Sequence, residues 1–343
     1  MLLVPTPSVL AARALPRGLP GVREQMLART NLFGSALDED ATPGDPGLFG
    51  PGSPTWRVVG QPSQLLAGLR AALLQALSAP IPTATDSTGA FYDDFAGRVA
   101  RTGRFVQQQN LGSMDEVYRS ARRVRAMHRT VKGAGRDGLD FDAGDSHQQA
   151  WVSMTLTDSI LVMAERYGTP LRGADADRFV LEQSTHGALL DPRFDLDAVF
   201  GDPDQRAALR RGELPLPQLE DGELPTTVAE LRRLRHGWTD ELFTTDLTRK
   251  LLDSTVQLSG VSPRIRQLAR PFVLATLATV PDEWHELLAP GERRLEEHAA
   301  AQAVQTPMAM LRLLYGQSPA VDVARARVAR RRPEHDLEPR GPR

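Results

Sequence analysis

The sequence predicts an all-α protein: a single large helical domain behind a Pro/Gly-rich N-terminal arm. Apolar residues recur at spacings of three and four along most of the chain, Pro and Gly fall where those stripes end, and no segment sustains the two-residue alternation of a strand. With 343 residues, 41% of them hydrophobic and 24% charged, the chain is long and apolar enough to bury a core unaided.

Residues 1–55, including TPGDPGLFGPGSP, lack periodicity and read as an arm or a loop-rich wrap. The domain spans 56–320. Its first helix carries Leu65, Leu66, Leu69, Leu73 and Leu77 on one stripe and stops at Pro80 and Pro82. A second runs from about Phe91 to Gln108, with Phe95, Val99, Thr102 and Val106 on one side and Arg98 adjoining it. A third, from about Ser113 to Lys132, aligns Val117, Ala121, Val124, His128 and Val131, with Gly133 as its stop. The fourth follows the turn-prone AGD and extends from about Ser146 to Tyr167, and a fifth covers Asp175 to about Leu190. Residues 191–224 are dense in Pro, Asp and Gly and are expected to form an inserted excursion or lid with at most one short helix. Helices resume at Thr227–Thr244, Thr248–Leu258, Pro263–Thr279, Pro281–Leu288 and from about Gly291 to Leu314. The basic, Pro-broken residues 321–343 read as a disordered tail.

Composition narrows the function. The 41 Lys and Arg nearly balance the 43 Asp and Glu, so no basic field exists to hold nucleic acid or an anionic membrane. The absence of cysteine excludes disulfides, iron–sulfur clusters, a cysteine nucleophile and a thiolate-ligated haem. It also suits a reducing compartment, and the opening residues lack a basic n-region, so a cytoplasmic location is expected over secretion. No membrane span is expected, because the longest uncharged run is cut by prolines. HExxH, GxSxG, Walker and GxGxxG motifs are all missing, which removes the support for zincin, esterase, nucleotide-hydrolase and dinucleotide readings.

Among the seven histidines, His128 stands out: it lies on the apolar stripe of the third helix, flanked by Arg122, Arg123, Arg125 and Arg129. A neutral imidazole aimed into an apolar space is what a haem iron accepts, and guanidinium groups suit haem propionates. A lone histidine on such a face is also a common satisfied core residue, and the stripe alone leaves both readings open. Arg98 and Thr102, four residues apart on the second helix, form a polar pair that can equally be a helix edge with a back-bonding hydroxyl.

The stretches PGSPTWRVVG, PSQLLAGLRAALLQALSAP, GRVARTGRFV, ARRVRAMHRTVKG, the WVSMTLTDS segment at Trp151, and YGTPL followed by ADADRFVLEQ occur in that order over residues 50–190. Together they resemble the haem-dependent oxygenase family that includes MpaB and the latex clearing protein, a rubber oxygenase. Similarity is weaker at LPTTVAELRR and through Pro263 to Pro281. The resemblance implies an all-helical domain enclosing one non-covalent haem b, with His128 of RVRAMH as the single iron ligand. It implies that Arg98 and Thr102 lie beside the haem, that the helix from Arg70 to Gln75 covers the porphyrin, and that Arg125, Trp151 and position 153 belong to the cofactor pocket. Two positions depart from the family: Ser153 stands where a W-x-H histidine is common, and Ser78 where another histidine often follows the LLQ helix. His147 and His186 are the alternative imidazoles, and both are expected to be dispensable.

Two functions follow as expectations. One is an oxygenase in which His128 holds haem iron and an apolar chamber presents a hydrophobic small-molecule substrate to dioxygen, with C=C cleavage, hydroxylation or desaturation as the outcome. In that reading Arg98 and Thr102 also serve the reaction. The other is a non-catalytic haem-binding or helical partner-binding protein, in which Ser153 and Ser78 record lost catalysis.

Overall fold

A computed structural model describes residues 34–89, 94–289 and 294–330. The helices are α1 (Pro54–Val58), α2 (Gln64–Gln75), α3 (Pro80–Thr88), α4 (Phe95–Leu111), α5 (Met114–His128), α6 (Ser146–Tyr167) and α7 (Ala174–Ala188). After them come α8 (Leu196–Gly201), α9 (Pro203–Arg211), α10 (Pro217–Glu220), α11 (Val228–Gly237), α12 (Asp246–Val256), α13 (Pro263–Leu277), α14 (Asp282–Leu288), α15 (Arg294–Ala303), α16 (Gln305–Tyr315) and α17 (Pro319–Ala329). The all-α class holds. The only strands among the described residues are β1 (Lys132–Ala134) and β2 (Asp140–Asp142), an antiparallel pair with Gly133 opposite Phe141.

Local chemistry explains the elements around the site. Ser113 and Glu116 form a reciprocal capping box that starts α5, with Asp115 and Glu116 in its first turn complementing the helix dipole. Asp145 caps α6 by accepting from the Gln148 amide at 2.8 Å. The β1–β2 hairpin continues from α5 and is pinned to α3, where the Thr83 hydroxyl donates to Asp137 at 2.7 Å and Asp86 pairs with Arg136 and Lys250.

Helix α6 is the spine, packed along α2 on one side and against α7 on the other. One core cluster gathers α2, α6 and α11 to α14 around Trp151, Trp238 and Trp284. A second joins Val117 and Ala121 of α5 to Ala150, Ala188 and residues of α8 to α10. A third spans α1, α2, α6, α7, α13, α15 and α16.

Several expectations are corrected. The first helix ends at Gln75, ahead of Pro80 and Pro82, but those prolines also open α3, because the first-turn positions of a helix need no donated N–H. The 191–224 excursion contains three helices rather than at most one. Leu196, Val199, Phe200, Leu209, Leu216 and Leu224 bury against the α5 cluster, so the segment is part of the core. The tail expected from 321 is helical as far as Ala329: Arg327 is buried, donating to the Asp45 carbonyl at 2.8 Å and the Leu111 carbonyl at 2.7 Å. That contact also fastens the described part of the N-terminal arm, whose Gly44 amide donates to the Arg327 carbonyl at 2.9 Å. The expected start of the second helix at Phe91 lies outside the described residues.

Candidate functional site

The burial of the α5 stripe tapers toward its C-terminus. Val117 and Ala121 are fully buried, Val124 is half-buried, and His128, the last residue of the helix, is half-buried with its Nδ1 shielded from solvent and without a hydrogen-bond partner among the described residues. Burial holds the imidazole's proton affinity below its ordinary value, and the Arg98 guanidinium adds to the effect, while Asp142 of β2 pulls the other way. The structure thus brings the His128 imidazole at the end of α5 within electrostatic reach of the Arg98 guanidinium of α4 and the Asp142 carboxylate of the hairpin.

Three large apolar side chains on α4, α5 and α6 are left uncovered. Val99 on α4 is 52% exposed, Met127 beside His128 is 53% exposed, and Val152 on α6 is 39% exposed. The N-terminal half of α4 carries no buried residue among those described, and the Thr102 hydroxyl is exposed. Globular helices ordinarily bury such a stripe.

The remaining expected residues divide. Gln75 donates from Nε2 to the Val152 carbonyl at 3.2 Å, tying the end of α2 to the turn of α6 that bears Trp151 and Ser153. Ser153 is half-buried at the α6–α7 crossing, where a Cβ on Gly187 would overlap its Oγ. Ser78 is buried and donates to Gln148 Oε1 at 2.6 Å. Trp151 is fully buried in an aromatic group, with ring centroids 4.8 Å from Trp238 and 5.5 Å from Trp284, and its Nε1 has no hydrogen-bond partner among the described residues. Arg70 is buried and committed to Asp158 at 2.7 Å, Ser159 at 3.0 Å and Thr279 at 3.1 Å. Arg125 donates to the backbone carbonyls of Pro192 at 3.2 Å and Phe194 at 3.0 Å, clamping the segment after α7. Both guanidinium groups are occupied by the protein itself.

Asp142, beside the site, escaped the sequence reading, and His186 was read only as a dispensable alternative imidazole. Asp142 carries no motif and reaches His128 only because the hairpin folds back. His186 occupies α7 beside Gly187, with its ring centroid 5.5 Å from that of Phe105 on α4. It shares a helical stripe with Phe179 and Gln183, which was the available signal. Two cavities, of about 290 Å³ beside Leu37, Glu116 and Arg119 and about 400 Å³ between α13 and α15, lie away from His128.

The sequence model of the family described as "ER-bound oxygenase mpaB/B'/Rubber oxygenase, catalytic domain" matches residues 56–313. The chain belongs to this family. The matched region runs from α1 into α16 and contains every residue considered above for the site. The MpaB/rubber oxygenase domain is an oxygenase catalytic domain, and that class of enzyme implies a small-molecule substrate and oxygen. Neither the curated proteins nor the solved structures include a match to the chain. Among the described residues no cluster of three or more His, Asp or Glu side chains could hold a metal ion unaided, and no single helix is long and apolar enough to cross a membrane.

Proposed function

We propose that this MpaB/rubber oxygenase domain uses haem b to oxygenate a hydrophobic small molecule, with His128 as the iron ligand. The observation that carries the reading is the solitary, neutral, half-shielded imidazole of His128 beside the Arg98 guanidinium. A single protein ligand is all that a haem requires, whereas a bare ion would need several convergent ligands that the described residues do not supply. The uncovered apolar side chains of Val99, Met127 and Val152 fit the same reading, since a flat macrocycle supplies the surface they lack.

Bound haem supplies the redox chemistry with dioxygen; the chain supplies position and environment. His128 offers its lone pair because burial and Arg98 keep it unprotonated near neutral pH. Arg98 carries the charge that suits a propionate, and Thr102 lies one turn further along α4 with a free hydroxyl for the reacting side. Gln75 fixes the Val152 carbonyl and so the turn bearing Ser153, while Arg70 and Arg125 act at one remove by fixing α2 to α6 and by clamping the segment after α7. Val99, Met127 and Val152 keep the space dry for an apolar substrate.

The test is the absorption spectrum of the purified chain. A Soret band from acid-acetone-extractable haem is expected in the parent and should be lost in His128→Ala, with helical circular dichroism retained because the change leaves an apolar side chain on the stripe. A colourless parent that ignores added haemin would overturn the reading. Ser153 and Ser78 favour a second reading, a haem-binding protein without turnover. Oxygen uptake with a lipophilic substrate separates the two, since a binding protein consumes none.

A further inference from the structure

The two halves of α13 differ in burial. Val273, Ala275, Thr276 and Leu277 in its C-terminal half are buried, whereas residues 262–271 are all exposed except Ala269, which is half-buried. Ile265 is 56% exposed and Leu268 is 75% exposed. They precede Phe272 by seven and four residues and so share its stripe, and Phe272 packs against the third core cluster. The stripe therefore runs past the edge of the core and continues uncovered. Uncovered apolar surface of this kind marks an interaction site when polar groups rim it.

The rim of this stripe is cationic. No acidic residue occurs between Asp253 and Asp282, and Arg264, Arg266 and Arg270 are exposed without an ion pair among the described residues. Exposed arginines elsewhere do pair: Arg57 with Asp175, Arg172 with Glu165 and Arg249 with Asp246. The near balance of charge over the whole chain conceals this local excess. By helical spacing Arg264 flanks the Ile265 and Leu268 stripe, and Arg266 and Arg270 lie on the far side. Beside Arg270 a groove of about 400 Å³ between α13 and α15 is lined by Gln267, Pro271, Leu274 and the alanines of α15. Cations and large apolar side chains around an exposed helical end match an anionic bilayer, in which the apolar groups enter the acyl boundary and the arginine stems reach back to the phosphates. A second copy docked stripe to stripe would bring like charges together.

We infer that the N-terminal half of α13 is a peripheral docking surface for an anionic phospholipid membrane. Among the described residues no single helix is long and apolar enough to cross a bilayer, so this contact is interfacial. The inference goes beyond the oxygenase reading and holds with or without haem; it gives the chain access to the phase in which a hydrophobic substrate dissolves. Each arginine close to an anionic surface strengthens binding about five-fold, and the attraction decays within a Debye length, so salt weakens it.

The test is cosedimentation of the full chain with phosphatidylcholine vesicles made with and without phosphatidylserine, at low and high salt. The parent should bind the phosphatidylserine vesicles many-fold more tightly than the neutral ones and lose that preference at high salt. The triple variant Arg264→Gln, Arg266→Gln, Arg270→Gln should bind them on the order of a hundred-fold more weakly. Ile265→Ser with Leu268→Ser should weaken binding at least about ten-fold, since two apolar side chains no longer enter the lipid. Both variants should keep the parental circular dichroism, because all five side chains are exposed. Equal binding by the parent and the triple variant would overturn the inference and assign any affinity to arginines elsewhere in the chain. A parent that ignores both kinds of vesicle would overturn it as well. In that event, a dimer on gel filtration that the Ile265 and Leu268 variant lacks would identify a second copy as the occupant, and retention of the parent by polyglutamate would point to an acidic protein.

Discussion

Two side chains of α4, Arg98 and Thr102, differ in what they can lose. Arg98 is half-buried and acts on His128 through its charge. If it also meets a propionate, a charge-assisted contact is worth roughly 1.5 to 3 kcal/mol, so Arg98→Ala should weaken haem retention by about ten- to a hundred-fold. Competition with apomyoglobin for the haem measures this. Thr102→Val is nearly isosteric and should leave haem content unchanged while lowering turnover, since only the hydroxyl is removed. Unchanged retention in the first variant and unchanged turnover in the second would reduce the pair to a helix edge. His128 and its arginine neighbour were legible from periodicity and motif together. Asp142 was not, because nothing in a linear stripe says that a hairpin will fold back.

At the scale of elements, long amphipathic helices were legible and punctuated ones were not. The α6 span of about Ser146 to Tyr167 is predicted, because the turn-prone AGD and a Gly–Thr–Pro break bound it on both sides. The 191–224 segment misled because Pro and Gly density suggests loops, whereas Pro203 and Pro217 here initiate short helices whose leucines complete the core. Gly187 gave no sequence signal at all, yet it lets α6 and α7 close. Gly187→Ala would drive a methyl into Ser153 Oγ and its Cβ, overpacking that costs about 1 to 3 kcal/mol. Thermal unfolding should report a lowered Tm, with Ser153→Ala on the same chain restoring only part of it because the Cβ clash remains. A Gly187→Ala variant as stable as the parent would mean that the α6–α7 crossing yields easily and that the setting of His186 is soft.

For the whole molecule, the buried histidines tie stability to pH, and the sign follows from which state holds the proton. Burial pushes His186 down to about 4 from its ordinary 6.5, and His128 shifts in the same direction. Above pH 6.5 both are neutral in the folded and unfolded chain, so their full contribution is present. Between 6.5 and about 4 the unfolded chain binds a proton that native His186 refuses, and folding loses about 1.4 kcal/mol per pH unit for that residue, on the order of 3 kcal/mol across the window. Glu182 on the same helix opposes this, since burial raises its carboxyl and a raised acid gains stability as pH falls. Comparing His186→Phe with the parent isolates the histidine, because Glu182 is common to both. Urea unfolding at pH 7 and pH 4.5 should show the parent losing about 2 to 3 kcal/mol more than the variant over that interval. Parallel losses would mean that native His186 takes up its proton near 6.5 and has access to water.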